Sequence, residues 1–163
     1  MNRPRPQRLS REQIWRLTFV ALSIFSCGMI CSLAMLYAAR QTSSDATSYI
    51  DLGIEQYKAG NYRDSLDALN IAEKRDPDVP DIYYWRGQAH AALDNHPAAV
   101  ADFSHTLELT SIYIDAYYLR GVSYEALDNP EAALRDYTEY LNLGGDDPEA
   151  VSRFNELSEA GDE

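Results

Sequence analysis

The feature that most limits what this chain can fold into is an internal repeat with a period of 34. Gly53, Gly87 and Gly121 are evenly spaced, since 87 − 53 = 34 and 121 − 87 = 34, and three other sets of residues keep the same offset. Those sets are Tyr49, Tyr83 and Tyr117; Ser65, Ala99 and Ala133; and Leu69, Phe103 and Tyr137. Several registers at one spacing, with helical patterning inside each copy, are typical of a solenoid of stacked helix pairs.

Each copy also carries a cluster of helix-breaking residues near its middle. The clusters are Gly60-Asn61, then Asp94-Asn95-His96-Pro97, then Asp128-Asn129-Pro130. Such residues end one helix, and a proline fits the first turn of the next helix, where its missing N–H costs nothing. Each copy therefore predicts two helices joined by a short turn.

These residues resemble the tetratricopeptide repeat family, which sets large, small, glycine, aromatic and proline residues at fixed places in a unit of this length. The matches are Tyr49, Leu52-Gly53, Ser65, Leu69, Ala72 and Pro77, then Tyr83, Gly87, Ala99 and Phe103, then Tyr117, Gly121, Tyr124, Ala133 and Tyr137. The departures are Arg86 and Arg120 where leucine is usual, Ser111 for proline, and Leu107 and Tyr140 where a small residue is expected. The resemblance covers Ala46 to about Gly145.

The resemblance implies an all-α solenoid of three repeats, at residues 46–79, 80–113 and 114–147. A terminal repeat needs a polar outer face, and residues 148–163 are expected to supply it as a capping helix and tail. Asp147 is the expected N-cap and Pro148 the first-turn residue. Val151, Phe154 and Leu157 are expected to share the apolar face of that helix.

Residues 1–40 differ from the rest of the chain in composition, because they contain a long run without charged residues. Leu17 to Ala39 is a run of 23 residues without a charge, long enough as a helix to cross a hydrocarbon layer of about 30 Å. We expect a basic cytoplasmic segment at 1–14, a transmembrane signal-anchor helix at 15–39 and a linker at 40–47. A cleaved signal peptide is the alternative, but its apolar region is normally shorter.

Positive charge predicts the orientation of this anchor. Five arginines precede the span, whereas only Arg40 and Lys58 follow it closely. Positive residues stay on the cytoplasmic side, so the N-terminus is expected in the cytoplasm and the repeats on the periplasmic or other extracytoplasmic side. Whether the anchor is ever cleaved stays open.

Composition argues against several classes of function. Residues 45–163 carry 8 Lys+Arg against 25 Asp+Glu, a net charge of 8 − 25 = −17. Such a domain repels phosphate backbones, so nucleic-acid binding is not expected. Both cysteines lie inside the apolar run, and the three histidines have no metal-ligand spacing. We expect no catalytic residues, no metal, no cofactor and no small-molecule substrate.

Family members bind proteins along the inner wall of the solenoid, which the first helix of each pair lines. The resemblance carries ten residues of this chain to that wall, and we call them the groove wall: Ile50, Ile54, Tyr57, Asp81, Tyr84, Gln88, Asp115, Tyr118, Val122 and Glu125. Members that grip a chaperone C-terminus use lysines and an asparagine here. This chain has Ile50, Ile54, Tyr84 and Gln88 at those places, so no such clamp is expected.

Two functions fit these expectations. The first is a membrane-anchored adaptor in envelope protein secretion, assembly or maturation. Its expected partners are membrane-associated proteins or peptides of basic character. The second is a constitutive accessory subunit of a larger membrane complex, with the groove permanently filled. The sequence leaves both open.

Overall fold

The computed structural model describes residues 45–160, all of whose regular structure is helical. The first helix, α1, occupies residues 45–58 and pairs with α2 (Tyr62–Arg75). The second pair is α3 (Pro80–Ala92) and α4 (His96–Leu109), and the third is α5 (Asp115–Ala126) and α6 (Pro130–Asn142). A last helix, α7 (Pro148–Ala160), packs against α6. The predicted all-α architecture of three pairs and a terminal helix is confirmed.

Several predictions fall on residues outside this range. They are the basic segment at 1–14, the transmembrane helix at 15–39, most of the linker and the tail beyond residue 160. Residues 45–47, the end of the expected linker, are already helical. Within residues 45–160, no helix has both the length and the apolar character that crossing a bilayer requires.

The turn inside each pair follows one geometry. Gly60, Asp94 and Asp128 occupy equivalent places and have φ of +80°, +58° and +57°. Glycine adopts this left-handed conformation freely, and aspartate is among the few other residues that tolerate it. The N–H of the next residue then bonds to a carbonyl five residues back, at 2.9 to 3.0 Å in all three turns. The helix-breaking clusters therefore act as predicted.

Close packing inside each pair depends on the repeated glycines. A Cβ on Gly53 would lie 2.6 Å from Leu69, and one on Gly87 would lie 2.8 Å from Phe103. At Gly121 the same atom would lie 2.5 Å from Tyr137. The large partners are fully buried, so they fill the space that each glycine leaves. The regular spacing of these glycines therefore has a steric cause.

Two details of the sequence interpretation were wrong. The residue equivalent to Ala72 and Tyr140 is Thr106, which is fully buried and whose hydroxyl donates 3.0 Å to the Asp102 carbonyl. Leu107 is therefore no departure from the small-residue place. In α7 the inward residue is Ala150, at 0% exposure, whereas Val151 is 38% exposed. Phe154 and Leu157 are half-buried, as expected, so only the first residue of the expected apolar face was misplaced.

Candidate functional site

The groove wall lies on α1, α3 and α5, the first helices of the three pairs. Its residues fall into two clusters, one at the first two repeats and one at the third repeat and α7. Gln88 and Val122 are half-buried members of the same helices.

Aromatic rings dominate the first cluster. The ring of Tyr57 lies 5.5 Å from the rings of both Tyr62 and Trp85, measured between centroids. Trp85 in turn lies 5.6 Å from Tyr84, which stacks on Tyr113 at 4.7 Å and 30°. We call Tyr57, Trp85, Tyr84 and Tyr113 the aromatic row. All four are half-buried, so part of each residue remains accessible to solvent.

Carboxylates border the aromatic row. The hydroxyl of Tyr113 donates a short hydrogen bond to Asp81, which holds that carboxylate beside the stacked rings. Burial raises the pKa of Tyr84 to about 12, and the nearby charge of Asp115 adds to the shift. Burial also raises the pKa of Asp81. This part of the wall is therefore apolar and negatively charged.

The second cluster is already engaged by the chain itself. The ring of Tyr118 lies 5.9 Å from Tyr137 and 5.7 Å from Tyr140. Glu125 accepts a short hydrogen bond from the Tyr137 hydroxyl and two more from Arg153 of α7, at 3.1 and 3.2 Å. The C-terminal end of the wall thus binds its own terminal helix.

Ile50 and Ile54 belong to the predicted wall but pack mainly into the core. Ile50 is only 6% exposed and belongs to a core cluster with Leu69, Ile82 and Tyr83. Ile54 is half-buried against the same cluster. Among the wall residues of the first repeat, Tyr57 is therefore the one outside this core cluster.

Sequence reasoning missed three residues that shape the wall: Trp85, Tyr113 and Arg153. Trp85 follows Tyr84 directly, and adjacent residues point in directions about 100° apart on a helix, so periodicity assigns only one to the wall. Tyr113 precedes α5 in a loop, where no helical period applies. The repeat offset from Leu119 reaches Arg153, but the ion pair of Arg153 with Glu125 depends on how α7 packs.

No group of His, Cys, Asp and Glu within residues 45–160 has the geometry to hold a metal ion. Outside the groove wall, arginine–carboxylate pairs join neighbouring helices of these repeats. The guanidinium of Arg86, for example, bonds to Asp102 at 2.8 Å and to Glu73 at 2.6 Å. The side chains in these pairs are only 10 to 36% exposed. The pairs therefore connect helices within the fold.

Models of the tetratricopeptide repeat match two stretches of the sequence, residues 50–110 and 115–143. These helix pairs are tetratricopeptide repeats. The expected resemblance is therefore confirmed for the repeats. None of the curated proteins matches the sequence.

Solved structures of other tetratricopeptide repeat domains have the same fold. The first such domain of Spaghetti (RPAP3), bound to the HSP90 peptide SRMEEVD, is 27% identical with a TM-score of 0.69. The alignment covers 74% of this chain and 96% of that one. The first such domain of human RPAP3 is 28% identical, with a TM-score of 0.65 and coverage of 71% and 91%. MamA, at 21% identity, TM-score 0.68 and coverage of 72% and 68%, shares the fold.

Proposed function

We propose that this protein is a membrane-anchored adaptor whose groove wall binds an extended or helical segment of a partner protein. The aromatic row carries the proposal, because tyrosine and tryptophan contribute large contact area at low entropic cost and are enriched at binding hot spots. Similar domains bound to HSP90 or HSP70 peptides support a protein ligand. The row itself stays half-exposed, with the carboxylates of Asp81 and Asp115 near it.

The peptide held by this chain should differ from those peptides. The sequences SRMEEVD and SGPTIEEVD both end in EEVD, which is mostly acidic. The groove wall here carries Asp81 and Asp115, together with Glu125, whose charge Arg153 offsets, and it has no lysine or arginine of its own. Like charges disfavour an acidic occupant, so we propose a partner segment with apolar anchors and positive charge.

The anchor is the second part of the proposal. The uncharged run from Leu17 to Ala39 is long enough to span a bilayer, and the arginines before it favour a cytoplasmic N-terminus. The repeats would then lie on the extracytoplasmic side, where a linker of few residues keeps them near the bilayer. Partners in secretion, assembly or maturation of envelope proteins would meet the groove there.

One experiment tests peptide binding in the membrane-bound protein. A photo-crosslinking residue at Gln88, on the same helix as Tyr84, is activated and the captured protein is identified by mass spectrometry. Capture that is lost when Tyr84 and Tyr118 are both changed to Ala supports a groove ligand. A control variant changes Tyr62 to Ala, which removes one ring next to the row but none of the predicted wall. Equal capture by all variants would refute binding along the groove wall.

The stoichiometry of capture separates adaptor from subunit. Several partners, each captured at a small fraction of the protein and released in mild detergent, indicate an adaptor. A single integral-membrane partner at fixed ratio indicates an accessory subunit. A reporter fused after Glu163 tests the orientation, since activity of a cytoplasm-specific reporter there would contradict the proposed topology.

A further inference from the structure

Four residues with a particular composition lie close together at the middle of the groove: Tyr84, Asp81 and Asp115 of the groove wall, and Tyr113 beside them. Tyr84 and Tyr113 stack face to face, Asp81 accepts the hydrogen bond of the Tyr113 hydroxyl, and Asp115 lies close enough to influence Tyr84 electrostatically. The pocket thus combines two aromatic rings with two carboxylates. We call it the tyrosine–aspartate pocket.

Elsewhere the chain uses the same combination to hold its own arginines. The guanidinium carbon of Arg86 lies 5.2 Å from the centroid of the Tyr83 ring, and the group also donates two bonds to Asp102, at 2.9 and 2.8 Å. A cation over an aromatic face is attracted by the ring quadrupole, and a carboxylate matches the fork of guanidinium donors.

The third repeat shows the arrangement again. The guanidinium carbon of Arg120 lies 5.6 Å from the centroid of the Tyr117 ring, and the group donates to Asp136 at 2.8 and 2.7 Å. An aromatic ring and a carboxylate therefore form an arginine receptor twice in this domain. Both times the ring and the carboxylate come from two helices of one repeat.

The tyrosine–aspartate pocket has no such cation. Among residues 45–160, no Lys, Arg or His lies within ion-pair distance of Asp81 or Asp115. The cations nearest the wall are engaged, since Lys58 lies over Trp85 at 5.8 Å and Arg153 pairs with Glu125. Burial raises the pKa of Asp81, as expected for a carboxylate that loses water without gaining a positive neighbour.

We propose that the tyrosine–aspartate pocket binds an arginine side chain of the peptide in the groove. The proposal rests on the proposed function and adds to it the identity of one anchor residue. Arginine fits better than lysine because its planar guanidinium stacks on an aromatic ring while it donates to a carboxylate. The occupant is thereby a peptide segment whose arginine side chain meets these rings and carboxylates.

The test selects peptides and then removes only the charge of their arginine. A display library of random 12-residue peptides is selected on the full-length chain in detergent micelles, and binders that the Tyr84→Ala/Tyr118→Ala variant still holds are discarded. The best remaining peptide that contains arginine is synthesised as selected and with citrulline, which has nearly the same shape without the charge, in place of the arginine. Groove-dependent binders that all lack arginine would refute the pocket. Binding of both is measured by fluorescence anisotropy at low salt.

We expect the citrulline peptide to bind about tenfold more weakly, the usual effect of losing a charged hydrogen bond. In Asp81→Asn/Asp115→Asn the ratio should fall to about one. The matched control is Asp64→Asn/Asp67→Asn, which removes two exposed carboxylates from α2, outside the pocket. This variant should keep the tenfold ratio, although both peptides will bind it slightly less tightly.

The other outcomes overturn the inference in distinguishable ways. Groove-dependent peptides that bind equally with arginine and citrulline would refute the pocket but leave the proposed function standing. An arginine preference that both double variants reduce equally would show general attraction by the acidic domain, again refuting only the pocket. A library that yields no groove-dependent binder would refute the proposed function and the pocket together.

Discussion

The guanidinium of Arg86 donates two parallel hydrogen bonds to the carboxylate of Asp102, 2.9 Å from Nε and 2.8 Å from a terminal nitrogen. The same guanidinium reaches back to Glu73 of the preceding helix at 2.6 Å. One side chain thus joins helices α2, α3 and α4. Arginine at a place where the family usually has leucine is therefore a second way to make this contact.

The first repeat has apolar residues at the two equivalent positions. Leu52 is the equivalent of Arg86 in that repeat, since 86 − 52 = 34, and Ala68 is the equivalent of Asp102, since 102 − 68 = 34. Both members of the charged pair are thus replaced together by an apolar pair. The two solutions occur within one chain, which makes their exchange a direct test.

We expect Asp102→Ala to lower the free energy of unfolding by about 2–4 kcal/mol, because it leaves a mostly buried guanidinium without its main partner. The double variant Arg86→Leu/Asp102→Ala copies the first repeat at these two positions and should lie within about 1 kcal/mol of the parent chain. The one charge that then loses its partner is Glu73, whose side chain is 36% exposed and can be hydrated. Urea unfolding followed by circular dichroism measures both. If the double variant were no more stable than Asp102→Ala, the two pairs would not be interchangeable.

The repeated glycines give a second prediction. A Cβ on Gly121 would lie 2.5 Å from Cε1 of Tyr137, a fully buried ring that is also held by Glu125. We expect Gly121→Ala to destabilise the domain by about 1–3 kcal/mol through overpacking, despite the better helix propensity of alanine.

The chain provides its own control for this change. Asn155 of α7 lies one repeat offset beyond Gly121, since 155 − 121 = 34, and it is exposed. Asn155→Ala should leave the melting temperature unchanged or raise it slightly, because alanine favours helix and meets no neighbour. Similar losses in both variants would mean that close approach at Gly121 is not what restricts the side chain.

These glycines also mark how far the sequence could predict the structure. Spacing alone located Gly53, Gly87 and Gly121, because backbone approach depends on residue size and period. Spacing could not pair Tyr113 with Asp81, because that contact depends on a loop conformation and on side-chain rotamers. The first inward residue of α7 was missed by one position, Ala150 for Val151, because packing against α6 sets the rotation of a helix whose own pattern is short.

For the candidate site, too, the sequence predicted some residues and missed others. The resemblance located Tyr84 and Tyr118 on the first helices of their pairs, where the structure has them. It gave no sign that Trp85 joins the aromatic row or that Arg153 engages Glu125. Both contacts link residues from different repeats, and a pattern read within one repeat does not describe them.

Alkaline pH should weaken the fold through Tyr84. Its pKa is raised to about 12 from 10.0, mainly by burial, so the folded chain keeps this proton after the unfolded chain has lost it. The stabilisation is complete below pH 10 and is lost as the pH rises towards 12. Phenylalanine cannot ionise. Between pH 10 and 12 we therefore expect the free energy of unfolding to fall by about 1–2 kcal/mol less in Tyr84→Phe than in the parent chain, after allowance for partial exposure.

The measurement is the free energy of urea unfolding from pH 9 to 12 for both chains. Tyr62→Phe removes the hydroxyl of a half-buried tyrosine whose ring lies 5.5 Å from that of Tyr57. It is the control for a general effect of removing a phenol. Parallel curves for Tyr84→Phe and the parent chain would show that Tyr84 ionises at an ordinary pH.

The last prediction concerns how α7 is held to the third repeat. Arg153 donates to Glu125 of α5 at 3.1 and 3.2 Å and to Glu149 of its own helix at 2.9 Å. These groups are partly exposed, so their contribution is modest, about 1 kcal/mol. We expect Arg153→Gln to speed hydrogen exchange of the α7 amides about fivefold while α3 stays unchanged. Glu156→Gln is the control, because within residues 45–160 the Glu156 carboxylate bonds only to Ser152 of the same helix. Equal effects of the two variants would mean that the buried side of α7, at Ala150, docks the helix without help from the ion pair.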